Sequence, residues 1–461
     1  MVTGILSSAF LSLSAQQVLS LDSCRQLAMN NNKQLRVAQL KQEAAKNTRK
    51  AVFTNYLPKI DALGGYEFTS RELSLLTGDQ KFLLNNMGTL VGMMLPMTTT
   101  TTQALNVAGQ RVTKAFETDT RNMFMGSVVM RQPLFMGGGI IAANKLAELN
   151  EQLAAESLDG QRQATLYEVD RAYWTVVSLR QKKQLALQYL QLVEKLDSNV
   201  YRMIGNGVAT RAEGLQVDVK VNEAQMALTQ VDNGLTLARM FLCQLCGLPM
   251  NDQIVLKEEN GNLPSAGEMN ADFQVEEAMD LRPELRMLRT AVDMSEQKTR
   301  IERAAFLPQV MLTAGYLVTN PNAFNGFERR FSGMWNVGVT MRIPVWNWME
   351  GAYKVRSGKA VTAMTAMQLS EAREKVELQL NQSSFRVKEA VKRLQVAGKN
   401  TERAEENLRC ANLGFSEGVM QSTDVMAAQT AWLQARTQEI DALIDMRLAQ
   451  TDLKKAQGVL Q

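Results

Sequence analysis

The sequence predicts a mainly α-helical protein with membrane β-strands, built from two tandem repeats. Each repeat combines two strands with long antiparallel helical hairpins. Three observations support this fold class: motifs that recur in the same order, short stretches of alternating apolar residues, and polar helical stretches of unusual length. The first repeat is expected over residues 16–250, a linker over 251–272 and the second repeat over 273–461.

The repeat is visible as pairs of matching motifs. LPKIDALGGYEF, which begins at Leu57, matches LPQVMLTAGYLV, which begins at Leu307. MRQPLF matches MRIPVW in the same way, and two later motif pairs align Gly207 with Gly418 and Gly247 with Gly458. Self-similarity that keeps its order over so much of a chain indicates a duplicated structure.

Alternating apolar residues predict four strands, at about 58–68, 124–134, 308–318 and 335–345. In the last of them every second residue is apolar: Trp335, Val337, Val339, Met341 and Ile343. Such alternation is typical of a strand with one face in lipid, although soluble hairpins share it. The smallest membrane barrels have about eight strands. Four strands therefore cannot close a barrel, and several chains would have to assemble.

Long polar stretches with a narrow apolar stripe predict the helices, at about 21–56, 140–204, 208–247, 273–306, 351–413 and 419–458. The stripe is clearest in one set of residues spaced by three and four: Leu185, Tyr189, Leu192, Leu196, Val200 and Met203. That spacing is typical of a coiled-coil seam. A continuous helix over 140–204 would be on the order of 100 Å long.

A run of glycines after Pro133 could be read as a phosphate-binding loop at a helix start. The second repeat keeps Pro344 of this motif but has no glycine run after it. The nearest lysine, Lys145, also lacks the following serine or threonine of a phosphate loop. We therefore interpret Pro133, Gly137, Gly138 and Pro344 as corners between strand and helix.

Composition argues against several classes of protein. The 461-residue chain has a net charge of +4 and no block of lysine or arginine, so nucleic acid is not an expected partner. Histidine is absent, which excludes Ser-His-Asp catalysis and histidine metal sites. We expect neither an enzyme nor a cofactor.

The N-terminus and the cysteines bear on signal-peptide cleavage, lipid attachment and metal binding. Residues 1–15 predict a secretory signal peptide. No later stretch is long and apolar enough for a membrane helix, so any insertion would use strands. Cys24 is not expected to carry a lipid, since Asp22 and a helical pattern surround it. Cys243 and Cys246 form a CxxC that aligns with a lysine and a glutamine of the second repeat, so we interpret both as helix positions rather than metal ligands.

The motifs LPKIDALGGY, RQPLFMGGG and the pair GNGVATRAE and GVMQSTDV resemble the TolC family of outer-membrane efflux and secretion ducts. The resemblance runs from about Leu19 to Gly458. It implies a homotrimer whose twelve-stranded barrel contacts outer-membrane lipid and continues into a helical barrel in the periplasm. Such a duct is a passive exit for an inner-membrane pump, which docks through a periplasmic adaptor protein.

The resemblance also assigns roles to the hairpin tips, from Gly205 to Glu213 and from Gly414 to Asp424. In the family the tips close the periplasmic entrance and meet the adaptor. The corresponding turn residues here are Gly205, Asn206, Gly207, Val208, Gly414, Gly418 and Val419. Glu213 and Asp424 are expected to form acidic rings at the constriction, with Arg211 near enough to pair. The alternative is that both acids only favour a helix N-terminus. Some family members carry a second acid where this chain has Ala427.

Two further alternatives stay open. The segment 69–123, expected as an external loop, contains Thr98–Thr102 and four methionines whose thioethers could bind a soft metal such as copper. The methionines have no regular spacing, so copper export is the weaker hypothesis. A periplasmic coiled-coil adaptor or scaffold would explain the helices but not the paired strands.

Overall fold

The computed structural model describes residues 18–70, 73–250, 254–259, 275–322 and 328–460. The predicted signal peptide lies outside these residues, as does most of the predicted linker. The chain divides into two compact units. We call them the helical unit (Met1–Asn47, Glu148–Met294 and Val361–Gln461) and the strand unit (Thr48–Ala147 and Ser295–Ala360).

Most described residues are helical. The elements in chain order are β1 (Val18–Leu19), α1 (Leu21–Asn31), α2 (Lys33–Phe53), β2 (Lys59–Phe68), β3 (Leu73–Ser74), α3 (Gly78–Asn85), α4 (Met87–Gly92), α5 (Thr99–Ala115), β4 (Glu117–Thr118), β5 (Asn122–Met136), α6 (Gly139–Gly205), α7 (Arg211–Cys246), β6 (Val255–Leu256), α8 (Val275–Leu281), α9 (Pro283–Ala304), β7 (Gln309–Asn320), β8 (Ser332–Arg342), α10 (Glu350–Ser416) and α11 (Ser422–Ala456).

Two helices that the sequence predicts as continuous are broken in the structure. The predicted helix 21–56 is divided at Asn32, whose side-chain oxygen accepts hydrogen bonds from the backbone N–H groups of Gln34 and Leu35. This caps α2 as a new helix. The predicted helix 273–306 is divided before Pro283, because proline fits the first turn of a helix and not its interior.

The apolar stripe of α6 forms part of the core of the helical unit. Tyr189, Leu196 and Val200 are at most 8% exposed. They belong to one buried cluster with Val217 of α7 and Trp432 of α11. Neighbouring helices cover this face of α6 along that stretch, which accounts for its apolar stripe.

The strand unit contains a four-stranded sheet of order β2-β5-β7-β8 in which all neighbours are antiparallel. Successive strands therefore alternate in direction, and β2 and β8 lie at opposite edges. Large apolar side chains of this sheet are exposed, including Ile60 at 68%, Trp335 at 75% and Val339 at 63%. An apolar surface of this kind indicates a partner or a lipid phase.

Two strands end at residues other than those predicted, and each contains or precedes a proline. β8 ends at Arg342 and not near residue 345, because Pro344 has no N–H to offer the ladder. β5 continues to Met136, past the predicted end at 134. A register shift between Pro133 and Phe135 accommodates the proline.

The segment 69–123, expected as an external loop, contains helices, since its described residues include α3, α4 and α5. Thr77 starts α3 with a capping box, in which Thr77 and Gln80 exchange hydrogen bonds between side chain and backbone. Thr98 precedes α5, so the threonine run forms the first turn of a helix. The sequence analysis did not predict these helices.

The predicted linker holds an ordered element. Within its described residues, β6 pairs in parallel with β1, matching Val255 to Val18 and Leu256 to Leu19. Leu19 and Leu256 are buried in the same apolar cluster. The strand that precedes α1 is thereby joined to the strand that follows α7.

Candidate functional site

The first hairpin tip joins α6 to α7 through a glycine-dependent helix end. Gly207 has a φ of 76°, a left-handed backbone that glycine adopts without steric cost. Its N–H donates to the carbonyl of Ile204, and the N–H of Val208 donates to that of Met203. This is a Schellman motif, which satisfies the last carbonyls of α6.

The second tip, between α10 and α11, has the same geometry. Gly418 has a φ of 75°. Its N–H donates to the carbonyl of Phe415, and the N–H of Val419 donates to that of Gly414. Val419 at 82% exposed and Val208 at 71% therefore present apolar side chains at equivalent points of the two turns.

The two predicted acids lie in the first turn of the helices that follow the tips. The backbone N–H of Gln421 donates a hydrogen bond of 3.1 Å to the carboxylate of Asp424, so this acid caps α11. At the other tip Thr210 is the cap, and its hydroxyl accepts from the N–H of Glu213 at 3.3 Å. Asp424 is exposed and Glu213 partly exposed.

Arg211, expected to lie near enough to pair with the acids, begins α7 and is exposed. Across the described residues, no ion pair joins Arg211 to either acid. The pKa of Tyr201 is raised, mainly by its hydrogen bond to Asp218, and the positive charge of Arg211 only partly offsets this rise. Ala427, at the position where some members of the resembled family carry a second acid, is exposed on α11.

An acidic group near the first tip was missed by the sequence analysis. The Tyr201 hydroxyl donates to the Asp218 carboxylate at 2.7 Å, which joins α6 to α7. This hydrogen bond is the main reason that the pKa of Tyr201 is raised. Burial, followed by the charge of Asp218, raises the pKa of Asp197. The signal was available, since Asp197 and Asp218 lie at similar distances on either side of Gly207.

The strand-to-helix corners also share one backbone geometry. Gly137 and Gly138 follow β5 with φ of 61° and 83°, and Trp348 and Met349 follow β8 with φ of 49° and 62°. A side chain at Gly137 would lie 2.5 Å from the carbonyl oxygen of Ala304, so this glycine also permits a close approach. The same backbone shape therefore forms with glycine in the first repeat and without it in the second.

Among the described residues, no group of His, Cys, Asp and Glu side chains is arranged to hold a metal ion. No helix among them has a stretch long and apolar enough to cross a membrane.

The chain is similar in sequence to a described protein family and to individual relatives. The family model described as "Outer membrane efflux protein" matches residues 24–248 and 275–459. The cobalt-zinc-cadmium resistance protein CzcC of Cupriavidus metallidurans is 22% identical over 75% of this chain and 80% of its own length.

Solved structures show the same fold. The CmeC outer membrane channel of Campylobacter jejuni superposes with a TM-score of 0.76 at 15% identity, covering 96% of this chain and 86% of that one. The outer membrane protein VceC of Vibrio cholerae superposes with a TM-score of 0.74 at 13% identity, covering 95% and 96%.

Proposed function

Because the chain belongs to the outer membrane efflux protein family, we propose that three copies assemble into a passive exit duct for an inner-membrane pump. Family membership makes it an outer-membrane transport protein and not an enzyme. The proposal adds a twelve-stranded barrel, a periplasmic helical barrel formed by the two tandem repeats, and a periplasmic adaptor as the link to the pump.

The topology of the sheet is the observation that carries this proposal. Its strands alternate in direction, with β2 at one edge and β8 at the other. The β8 edge of one copy can therefore pair antiparallel with the β2 edge of the next, and the alternation continues unbroken around a ring. Closure removes the unpaired edges that otherwise promote aggregation.

The exposed apolar side chains support a lipid-facing barrel. Ile60, Val337 and Val339 are each more than 60% exposed in the single chain. In water such a surface would be unfavourable at roughly 25 cal/mol per Å² of apolar area. Outer-membrane lipid covers it in the proposed assembly. A soluble coiled-coil adaptor or scaffold gives no reason for this surface.

The hairpin tips are proposed as the entrance and the adaptor-docking surface. Three-fold symmetry would repeat Asp424 and Glu213 as rings, and a ring of carboxylates attracts cations and resists anions. The exposed Val208 and Val419, held beside Gly205–Gly207 and Gly414–Gly418, supply apolar contacts for the adaptor. The capping role of Asp424 is compatible with a place in a ring. Capping uses only the Oδ2 oxygen of the carboxylate, and the Asp424 side chain stays exposed.

Membrane fractionation followed by planar-bilayer recording tests the duct. We expect the protein to sediment with outer membranes and, after detergent extraction, to give discrete conductance steps. A protein that stays in the soluble periplasmic fraction and never conducts would instead support the adaptor or scaffold alternative.

A further inference from the structure

Three buried thiols meet where α1 packs against the end of α7. Cys24, Cys243 and Cys246 are each 0% exposed and belong to one apolar cluster. The Cys246 thiol donates a hydrogen bond to the carbonyl oxygen of Cys24 at 3.6 Å. The Cys24 thiol is hydrogen-bonded in turn to the Cys246 side chain. The two thiols therefore lie in one buried cluster, with the Cys246 sulfur atom against the backbone of Cys24.

Backbone contacts hold the two helices in place on one side of the thiols. Gly247, directly after α7, has a φ of 70°, and a side chain there would lie 2.5 Å from the Cβ of Asn31. The side-chain amide of Asn32 donates to the carbonyl of Leu245 at 3.1 Å. The end of α1 is thus fixed against the end of α7.

The paired strands hold the other side. β1 directly precedes α1, and its Leu19 is matched in register with Leu256 of β6. The separation of Cys24 from Cys246 is therefore determined by contacts on both flanks and not by the cysteines alone.

We propose that Cys24 and Cys246 form a disulfide bond that fastens the N-terminal helix α1 to the end of α7. The location in the outer membrane, with a periplasmic helical portion, supplies the oxidising compartment in which such bonds persist. The inference rests on that location and not on the proposed duct.

The oxidant is a periplasmic dithiol oxidase that carries a reactive disulfide. Cys24 and Cys246 each lose their proton, a sulfur–sulfur bond forms between them, and two electrons reduce the disulfide of the oxidase to two thiols. The hydrogen bond to Cys246, followed by burial, raises the pKa of the Cys24 thiol. A buried thiol that resists ionisation reacts slowly, so the exchange takes place during folding, before α1 packs against α7.

Cys243 is the less suitable partner for Cys24. It lies one helical turn earlier in α7, whereas the Cys246 thiol reaches the backbone carbonyl of Cys24 at 3.6 Å. A bond within the CxxC would leave α1 unfastened. Cys410 of α10 is exposed and serves as an internal control for thiol labelling.

Peptide mapping of the full-length protein, isolated from outer membranes, tests the disulfide. The protein is denatured with an alkylating agent present and no reductant. We expect a linked peptide pair that contains Cys24 and Cys246, with Cys410 alkylated. Alkylation of both Cys24 and Cys246 without reductant, or a bond between Cys243 and Cys246, would overturn the proposal.

Matched alanine variants give a second readout. Cys246→Ala should abolish the linked pair, and Cys243→Ala should keep it. Adding reductant should lower the melting temperature of the wild type and of Cys243→Ala but leave that of Cys246→Ala unchanged. A wild-type melting temperature that is insensitive to a reductant shown to reach the thiols would contradict the bond. Conductance plays no part in either readout, so the duct and the disulfide can fail independently.

Discussion

Trp348 and Gly137 hold the same left-handed backbone at the two strand-to-helix corners, with φ of 49° and 61°. This conformation costs a residue other than glycine roughly 1–2 kcal/mol. Trp348 is 83% exposed, and its ring packs edge-on against Trp346 with centroids 5.8 Å apart. Aromatic side chains are enriched where membrane barrels meet the interface, which gives a reason for tryptophan at a position that favours glycine.

Replacing Met349, the next residue of that corner, should stabilise the protein. Met349 has a φ of 62° and is 58% exposed. Met349→Gly should raise the free energy of unfolding by about 1 kcal/mol. Thermal melting followed by helical circular dichroism in detergent measures the change. Gly138→Ala is the matched control, since its φ is 83° and a side chain there meets nothing within 4 Å. It should lower stability by a similar amount, and equal melting of all three proteins would contradict this reading of the corner.

Replacing the turn glycine of the first tip should lower stability because of its backbone conformation alone. A side chain at Gly207 would meet nothing within 4 Å, but its φ is 76°. Gly207→Ala should therefore destabilise the tip by about 1 kcal/mol. Gly205→Ala is the control, since Gly205 ends α6 without a left-handed backbone and also has open space around it. Faster proteolysis at Arg211 in Gly207→Ala only is the expected result, and equal cleavage of the two variants argues against it.

The charge of Asp424 can be separated from its capping role. Asp424→Asn removes the charge but keeps an oxygen that can accept from the N–H of Gln421. Combined with Glu213→Gln, it should reduce cation selectivity, read as a shift in reversal potential across a salt gradient, while melting stays near that of the wild type. Asp424→Ala should also lose the cap, at about 1 kcal/mol. Wild-type selectivity in the Asn/Gln double variant would exclude an acidic constriction.

The acidic group near the first tip should make the α6–α7 hairpin sensitive to pH. Burial and the nearby Asp218 raise the pKa of Asp197 above its ordinary value of 3.8. Such a carboxyl binds its proton more tightly in the folded state, so stability falls as the pH rises above that value, until the folded-state pKa is passed. Hydrogen exchange around Asp197, corrected for intrinsic rates, should show more opening at neutral than at acidic pH.

Asp197→Asn should remove this dependence. Tyr201→Phe is the control, because it deletes the hydrogen bond to Asp218 but keeps both carboxyl groups, and it should retain the trend. A pH response that is unchanged in Asp197→Asn would show that other groups are responsible.

Periodicity was enough to predict the four strands of the main sheet and the long helices, but not the two-residue strands β1, β3, β4 and β6. The alternation around Trp335 and the stripe around Tyr189 each describe one face of one element. Such a face can be recognised from the spacing of apolar residues within a short stretch of sequence. The break at Asn32 was missed because a side-chain cap inside a helical pattern leaves the periodicity intact. Helix α3, within 69–123, was missed because a capping box at Thr77, and not an apolar stripe, marks where it begins.

The candidate site was predictable only in part. The turn glycines Gly207 and Gly418 could be located because the left-handed helix end requires glycine. The single chain shows no ion pair between Arg211 and either acid among the described residues, so the expected pairing of Arg211 stays a prediction. The contact of Tyr201 with Asp218 depends on how α6 and α7 pack, which the stripe of α6 alone does not specify.

Native mass spectrometry of the detergent-extracted protein most directly tests the central claim, that copies of this chain join β8 to β2 and close a ring. The account predicts a complex of three chains that persists on dilution. A monomer that keeps its four-stranded sheet in solution would contradict it.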